Sequence, residues 1–385
     1  MGKAGPVRTD VLVVGAGVAG CAAARLLAQH HRVVLIDRFE APAPRIGESV
    51  PGAARQLLQR LGLFDKFEAS GHRASLGQAS LWGSDRVHRR DSLNDPLGFG
   101  WCIDRVAFET MLRVAARESG TQMIAPARLV ALLRLYDGRH QWRANVQLGN
   151  EEIEVDAEFV VLAHGRSRLP NVLGSSVSVQ PIDRLVCRFV RVPSGLTFDV
   201  PSGFSFVEAG AEGWWYQTIL PSGHRVVAYH TDADLPSARQ ACSREGFSEL
   251  LQGTLGLADA SFSADTVVQG ASARSQALST ACGASWCAVG DAACAFDPLS
   301  SQGIFNALYT GIRGAEATSA AIQGDEQALP RYRDQMAQVF SAYRANLERI
   351  YGLERRFSNG RFWRRRHKQM AMVRLSPTPL IFSNQ

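Results

Sequence analysis

With 385 residues, 46% of them hydrophobic, the chain can bury a large core and is long enough for two interleaved domains, while no apolar run approaches a membrane span, so a cytoplasmic protein that neither crosses nor binds a membrane is expected. The seven cysteines, at 21, 102, 187, 242, 282, 287 and 294, are odd in number, scattered and without a CxxC pair, so neither a disulfide framework nor a metal site is expected. The net charge of +6 is local: seven cations and no acid lie between Arg355 and Lys368, and with no nucleic-acid motif beside them they point to a solvated helix face or a docking surface for an acidic partner, not to DNA or RNA.

In chain order, Asp10-Val11-Leu12-Val13-Val14 predicts a buried strand that leads into Gly15-Ala16-Gly17-Val18-Ala19-Gly20. Such a turn needs glycine at three places. Gly15 makes the tight turn, Gly17 lacks the side chain that would block a pyrophosphate, and Gly20 lets helix and strand pack closely. The helix expected over Val18–Ala28 offers its unpaired N–H groups to the anion. The glycine spacing also argues against reading Val11 to Ala28 as a signal peptide. The strand from Arg32 to Ile36 ends at Asp37, whose carboxylate can hold both hydroxyls of an adenosine ribose, and Arg38 follows at the rim. A second cofactor-type segment is Arg45-Ile46-Gly47-Glu48-Ser49-Val50-Pro51. Pro51 to Leu61 reads as a helix, Gly71 to Gly100 as an irregular polar stretch, and Val106 to Ser119 as a helix. Strands are expected at 129–135, 142–148 and 152–156, and a separate buried strand at 159–163 ends at His164-Gly165.

From Leu185 the pattern changes to antiparallel sheet, with strands at 185–192, 204–208, 213–220 and 225–231 separated by turn-rich segments. A helix over 237–253, a strand over 263–268 and a strand over 286–289 follow, the last delivering Gly290-Asp291. Helices are expected over 302–322 and 330–358, and a frayed tail after Leu375. The glycine turn, the Arg45–Pro51 segment and the stretch from Asp291 to Gly303, in this order, point to FAD. The fold class expected is α/β, a Rossmann-like FAD-binding domain with an interleaved antiparallel-sheet substrate domain and a helical C-terminal segment. The FAD-binding parts are 1–75, 101–184 and 263–329. The substrate side is 76–100 and 185–262, and the C-terminal helical segment is 330–385.

At Gly290-Asp291 the chain resembles flavin-dependent monooxygenases and halogenases of the para-hydroxybenzoate hydroxylase type. The resemblance implies that Asp291 holds the ribityl chain of FAD, and that Pro298 and Gln302-Gly303-Ile304 lie against the isoalloxazine ring. A helix starting near Gly303 would aim its N–H groups at the flavin and favour the charge of its reduced form. Arg45, and Arg105 in Asp104-Arg105-x-x-Phe108, resemble arginines that contact the cofactor, and Ser49 belongs to a Gly-Glu-Ser segment that holds the flavin from its other side. Gly47-Glu48-Ser49-Val50-Pro51, Leu81-Trp82-Gly83-Ser84, Gly100-Trp101, Thr231-Asp232-Ala233-Asp234-Leu235, Phe296-Asp297-Pro298-Leu299 and Arg361-Phe362-Trp363 together are similar to the tryptophan-halogenase-like flavoproteins that mature tryptophylquinone enzymes.

That likeness implies hydroxylation of an electron-rich aromatic ring, a tryptophan or other indole, as a small molecule or carried by a peptide or protein. Halogenation and a non-enzymatic maturation chaperone are the alternatives. Halogenases of this type carry a WxWxIP segment and an essential lysine after Gly-Glu-Ser. Here the tryptophans of Trp214-Trp215-Tyr216-Gln217-Thr218-Ile219 are adjacent, and the lysines are Lys3, Lys66 and Lys368 alone. Hydroxylation needs no such lysine. Related hydroxylases have Asp-Gly where this chain has His164-Gly165, so electrons are expected from NAD(P)H either directly or through a separate flavin reductase. Asp297 is the candidate catalytic residue, placed to orient or deprotonate an indole N–H, or else it caps the turn before Pro298. Glu48 is a weaker candidate. His72, His88 and His230, and the rings of Trp82, Trp101, Trp214, Trp215 and Tyr216, are each either cavity residues or core.

Overall fold

The computed structural model describes residues 5–136, 139–167, 177–193, 203–255 and 262–375; the tail expected after Leu375 lies outside them. Val7–Val14 is the centre of the first sheet, parallel to Glu151–Leu162 on one side and Val33–Ile36 on the other. Gln122–Ile124 and Trp286–Ala288 extend it, also in parallel. Its central strands are continuous apolar runs because helices cover both faces of a parallel sheet. The strands expected at 152–156 and 159–163 are one strand, Glu151–Leu162. Its first half pairs antiparallel with Trp142–Leu148 and its second half parallel with Val7–Val14, so the polar residues that suggested a break mark a change of partner.

Helix Val18–Leu27 packs on helix Gly303–Ile322 at a distance that only small residues allow. A Cβ at Gly311 would lie 2.5 Å from the Ala19 carbonyl oxygen.

The second sheet has seven strands in the order Gln269–Ser272, Leu185–Pro193, His224–Asp232, Gly213–Ile219, Phe204–Gly210, Gly77–Leu81 and His88–Asp91. Two of them come from the stretch expected to be irregular. The pairing of Gly77–Leu81 with Phe204–Gly210 is parallel; the rest are antiparallel. The strand expected over 263–268 is a turn region, and Gln269–Ser272, which has little strand propensity of its own, takes the edge position by pairing with Leu185–Pro193. The helix expected over 237–253 is two, Pro236–Gln240 and Arg244–Gln252, because Ser243 starts the second by accepting the Gly246 N–H at 3.1 Å. The outer face of this sheet, with Trp215, is covered by Phe247 and Leu251.

The inner face, with Trp82, Trp214 and Phe189, is closed by Tyr351, Phe362 and Trp363 from the chain's end. In place of one helix over 330–358, Ala328–Leu353 and Arg361–Leu375 form a pair. Arg366 of the second helix turns inward, and its neighbours Arg361 and Arg365 pair with acids. Arg366 is buried with its guanidinium 3.4 Å from the Phe362 ring centroid and 3.0 Å from Asp232, Arg365 joins Asp232 and Asp234, Arg361 joins Asp234, and Arg356 joins Glu354. Four of the segment's seven cations thus pair with acids of the protein, while Arg355, Arg364 and Lys368 stay exposed.

Candidate active site

The glycine turn has the geometry of an anion cradle. Gly15 sits at φ +112°, and a Cβ there would lie 2.4 Å from the Ala163 carbonyl oxygen. At Gly20 a Cβ would lie 1.8 Å from the Gly15 carbonyl, whereas a Cβ at Gly17 meets nothing within 4 Å. Two glycines are thus required by the protein itself, and the third faces open space at the start of a helix. Ala19 completes the packing, its Cβ 2.8 Å from where a Cβ at Gly290 would stand. Asp37 ends its strand with Oδ2 accepting the Ala16 N–H at 2.6 Å and Oδ1 3.2 Å from Arg113. Arg113, buried, also donates to the carbonyls of Ala16, Phe39 and Glu40, which fixes the second strand's end against the glycine turn. Arg38 is exposed, its guanidinium 4.5 Å from the Phe39 ring centroid.

The same helix, Arg105–Glu118, carries the second clamp. Glu109, 2% exposed, receives Arg45 and Arg105 together, and Arg105 donates onward to the Gly47 carbonyl at 2.6 Å. Burial pushes the Glu109 carboxyl up, but Arg105 and Arg45 outweigh it and hold it below the usual range. Ser49 lies half-buried in the strand that pairs with Gly100–Cys102.

The third segment turns through Gly290 at φ +60°. Asp291 pairs with Arg166 at 3.1 Å, and Arg166 donates to the Phe296 carbonyl. Pro298 is exposed on a short 3-10 turn, Ser301 takes φ +51°, and helix Gly303–Ile322 begins with Gly303 in the open and Ile304 buried. Ile46 of the second segment and Leu299 of the third pack against one cluster on the inner face of the seven-stranded sheet, so the segments converge there.

Asp297 is buried within the protein. Its Oδ1 caps the 3-10 turn by accepting the Leu299 N–H, and its Oδ2 accepts the Tyr351 hydroxyl at 2.8 Å, which in turn accepts the Trp214 indole N–H at 3.0 Å. Burial pushes its carboxyl up to about 6. A group whose folded value lies above its unfolded value of 3.8 lends stability that is complete below that value and is lost as pH rises through about 6. Between those limits the wild type is expected to lose on the order of 3 kcal/mol relative to Asp297→Asn, at 1.36 kcal/mol per unit. Parallel melting curves for the two proteins across that window would disprove it.

Alternation along Gly213–Ile219 separates the adjacent tryptophans. Trp214 and Tyr216 share the inner face, with His230 stacked on Trp214 at 3.7 Å, and Trp215 points outward. Trp82 joins the inner cluster, 5.4 Å from Trp363; Trp101 packs instead on Phe67 at 5.2 Å, with His72 against the same ring. His88 is exposed beside Ser84. His164 lies at the end of the first sheet with Nδ1 against the Ser167 carbonyl, and burial lowers it to about 4, so it is neutral. Lys66 pairs with Glu118 on the surface, Lys368 is exposed, and Lys3 lies outside the described residues. Sequence reasoning missed Glu109, Arg113, Arg166 and Tyr351. Only Glu109 carried a local signal, its helical spacing of four from Arg105.

Open space over Gly17, the carboxylate of Asp37 at the strand end beside the glycine turn and the uncovered helix start at Gly303 fit FAD. Residues 8–342 match the sequence profile of the FAD binding domain. The chain belongs to the FAD binding domain family. Within this family it is 31% identical over 95% of its length to 99% of LodB from Marinomonas mediterranea, which is assigned as an FAD-dependent oxidoreductase. Among solved structures, the myxobacterial chondrochloren halogenase CndH superposes with a TM-score of 0.82, at 21% identity, over 96% of this chain and 90% of that one. The peptidyl tryptophan dihydroxylase QhpG, essential for tryptophylquinone cofactor biogenesis, does so with a TM-score of 0.70, at 21% identity, over 94% of this chain and 79% of that one. This FAD binding domain protein is a flavin-dependent oxidoreductase with the fold of the flavin monooxygenases and halogenases. Among the described residues no helix is long and apolar enough to cross a membrane, and no group of three or more histidines, cysteines or acids is placed to hold a metal ion.

Proposed function

We propose that this protein is an FAD-dependent monooxygenase that hydroxylates an electron-rich aromatic ring, an indole carried by a peptide or protein. The observation that carries the reading is the inner face of the seven-stranded sheet. It gathers Trp214, Tyr216 and Phe189 in one cluster with Ile46 and Leu299 of the flavin segments, and no described lysine reaches it. QhpG, of the same fold, is named for dihydroxylation of peptidyl tryptophan. The same architecture serves a halogenase in CndH, so chemistry must be argued from the site.

FAD, when bound, supplies electrons and activates O₂. The chain's own residues do the rest. Gly15 to Gly20 and Asp37 would hold the dinucleotide end, with Arg38 at its rim; Arg45, Ser49 and Arg105 would grip from the second segment; Asp291, Pro298, Gly303 and Ile304 would border the ring. Tyr351, Trp363 and Trp214 are packed away from water on the inner face, and a dry surrounding of this kind would protect reactive oxygen species from loss. Asp297 contributes by holding the Pro298 turn and Tyr351 in place, its carboxyl pushed by burial up to about 6. With a neutral His164 and no carboxylate at that strand end, electrons come from a separate flavin reductase.

The test is to reduce the FAD-loaded protein with a flavin reductase, admit air in the presence of a tryptophan peptide, and read the peptide by mass spectrometry with and without bromide. Oxygen incorporation unaffected by bromide is expected. A brominated peptide would assign the protein to halogenation instead, and an unaltered peptide with FAD bound would favour the maturation chaperone.

A further inference from the structure

Glu48 is the one residue of the flavin-side segments whose buried carboxylate oxygen has been left over. It is 2% exposed. Its backbone carbonyl accepts the Ile103 N–H at 2.8 Å, and Oε2 accepts the Gly47 N–H at 2.9 Å. Oε1 is buried and has no hydrogen-bond partner; the nearest cation, Arg191 Nη2, stands 3.8 Å away, beyond hydrogen-bond reach. A carboxylate oxygen in this condition is costly unless something donates to it.

The surroundings say where it points. Arg191, 3.8 Å from Oε1, lies on the same side of strand Leu185–Pro193 as Cys187 and Phe189 by strand alternation. Cys187 and Tyr216 belong to the inner face of the seven-stranded sheet, with Trp214 and Phe189. Glu48, just before the strand Ser49–Val50, therefore lies towards the aromatic face. Ser49, the next residue, sits in the strand pairing with Gly100–Cys102.

We infer that Glu48 Oε1 is the acceptor for the ring N–H of the substrate and selects indoles that carry one. This rests on the aromatic-hydroxylation reading above. Burial pushes the Glu48 carboxyl above its usual range, against the Gly47 N–H and the charges of Arg105 and Arg191. The same two guanidiniums disfavour an ammonium ligand, which leaves a neutral N–H as the matching donor. An aromatic ring with its nitrogen methylated offers no hydrogen and adds bulk at that oxygen. A site built to bond an N–H discriminates strongly against the analogue lacking it, because its own polar group is then stranded.

The experiment titrates the FAD-loaded protein with N-acetyltryptophanamide and with its 1-methylindole counterpart, following the flavin absorbance. The wild type is expected to bind the first at least about tenfold more tightly. Glu48→Gln keeps an oxygen for the Gly47 N–H and turns an amide donor towards the ligand, so the preference disappears while FAD content stays at the wild-type level; Glu48→Ala behaves alike. Equal binding of both probes by the wild type overturns the inference and leaves the hydroxylation reading standing. A preference that survives Glu48→Gln overturns it too, as does loss of FAD from both variants, which would give Glu48 to the cofactor. Binding of neither probe by the wild type overturns the indole reading and this inference with it.

Discussion

Glu109→Ala is expected to lower stability by about 3 kcal/mol and to release the flavin. The carboxylate is buried and holds two guanidiniums, and its removal has unequal consequences for them. Arg45 is half-exposed and turns into water at little cost, but Arg105 is only 13% exposed and is left without its counter-charge. Arg105 also bonds the Gly47 carbonyl, and Gly47 stands at φ +104°, so a shifted guanidinium loosens the turn that presents Glu48 and Ser49. Urea unfolding of the apoprotein and the flavin content after gel filtration measure the two effects separately. Glu109→Gln keeps the shape and one acceptor and should fall between. An alanine variant with unchanged stability and full flavin would show that the clamp holds nothing.

Gly17→Val and Gly20→Val are expected to fail in different ways although they lie three residues apart. Gly17 is extended at φ −79° and ψ −172°, which valine adopts freely, and its Cβ would meet nothing within 4 Å. The apoprotein should melt like the wild type while FAD affinity falls on the order of a hundredfold, about 2.8 kcal/mol, as the new side chain occupies the pyrophosphate's place. At Gly20 the Cβ would stand 1.8 Å from the Gly15 carbonyl, so strand and helix must separate and folding itself suffers with or without FAD. Melting curves of both apoproteins and FAD titrations by fluorescence decide. Wild-type FAD affinity in Gly17→Val would refute the cradle.

What could be read from sequence was what the backbone demands locally. The Gly15 to Gly20 turn, Asp37 at a strand end and the Gly290 to Gly303 stretch each constrain conformation within a few residues, and each stands where that logic places it. Arg113 and Tyr351 were invisible because their partners, Ala16, Asp37, Asp297 and Trp214, are remote in sequence. The inward turn of Arg365 and Arg366 depends on Asp232, more than a hundred residues earlier, and nothing in the local run of cations reveals it. Gly77–Leu81 and His88–Asp91 were hidden for another reason: partners in the sheet, not apolar alternation of their own, make them strands.

The closure of the inner sheet face by Tyr351, Phe362 and Trp363 sets an order of events in synthesis. The glycine turn, the Arg45–Pro51 segment and the Gly290–Gly303 stretch are all synthesised before Tyr351, Phe362 and Trp363, which cover the inner face. The nascent protein thus passes through a stage in which that sheet face lacks its cover, and docking of Trp363 against Trp82 ends that stage.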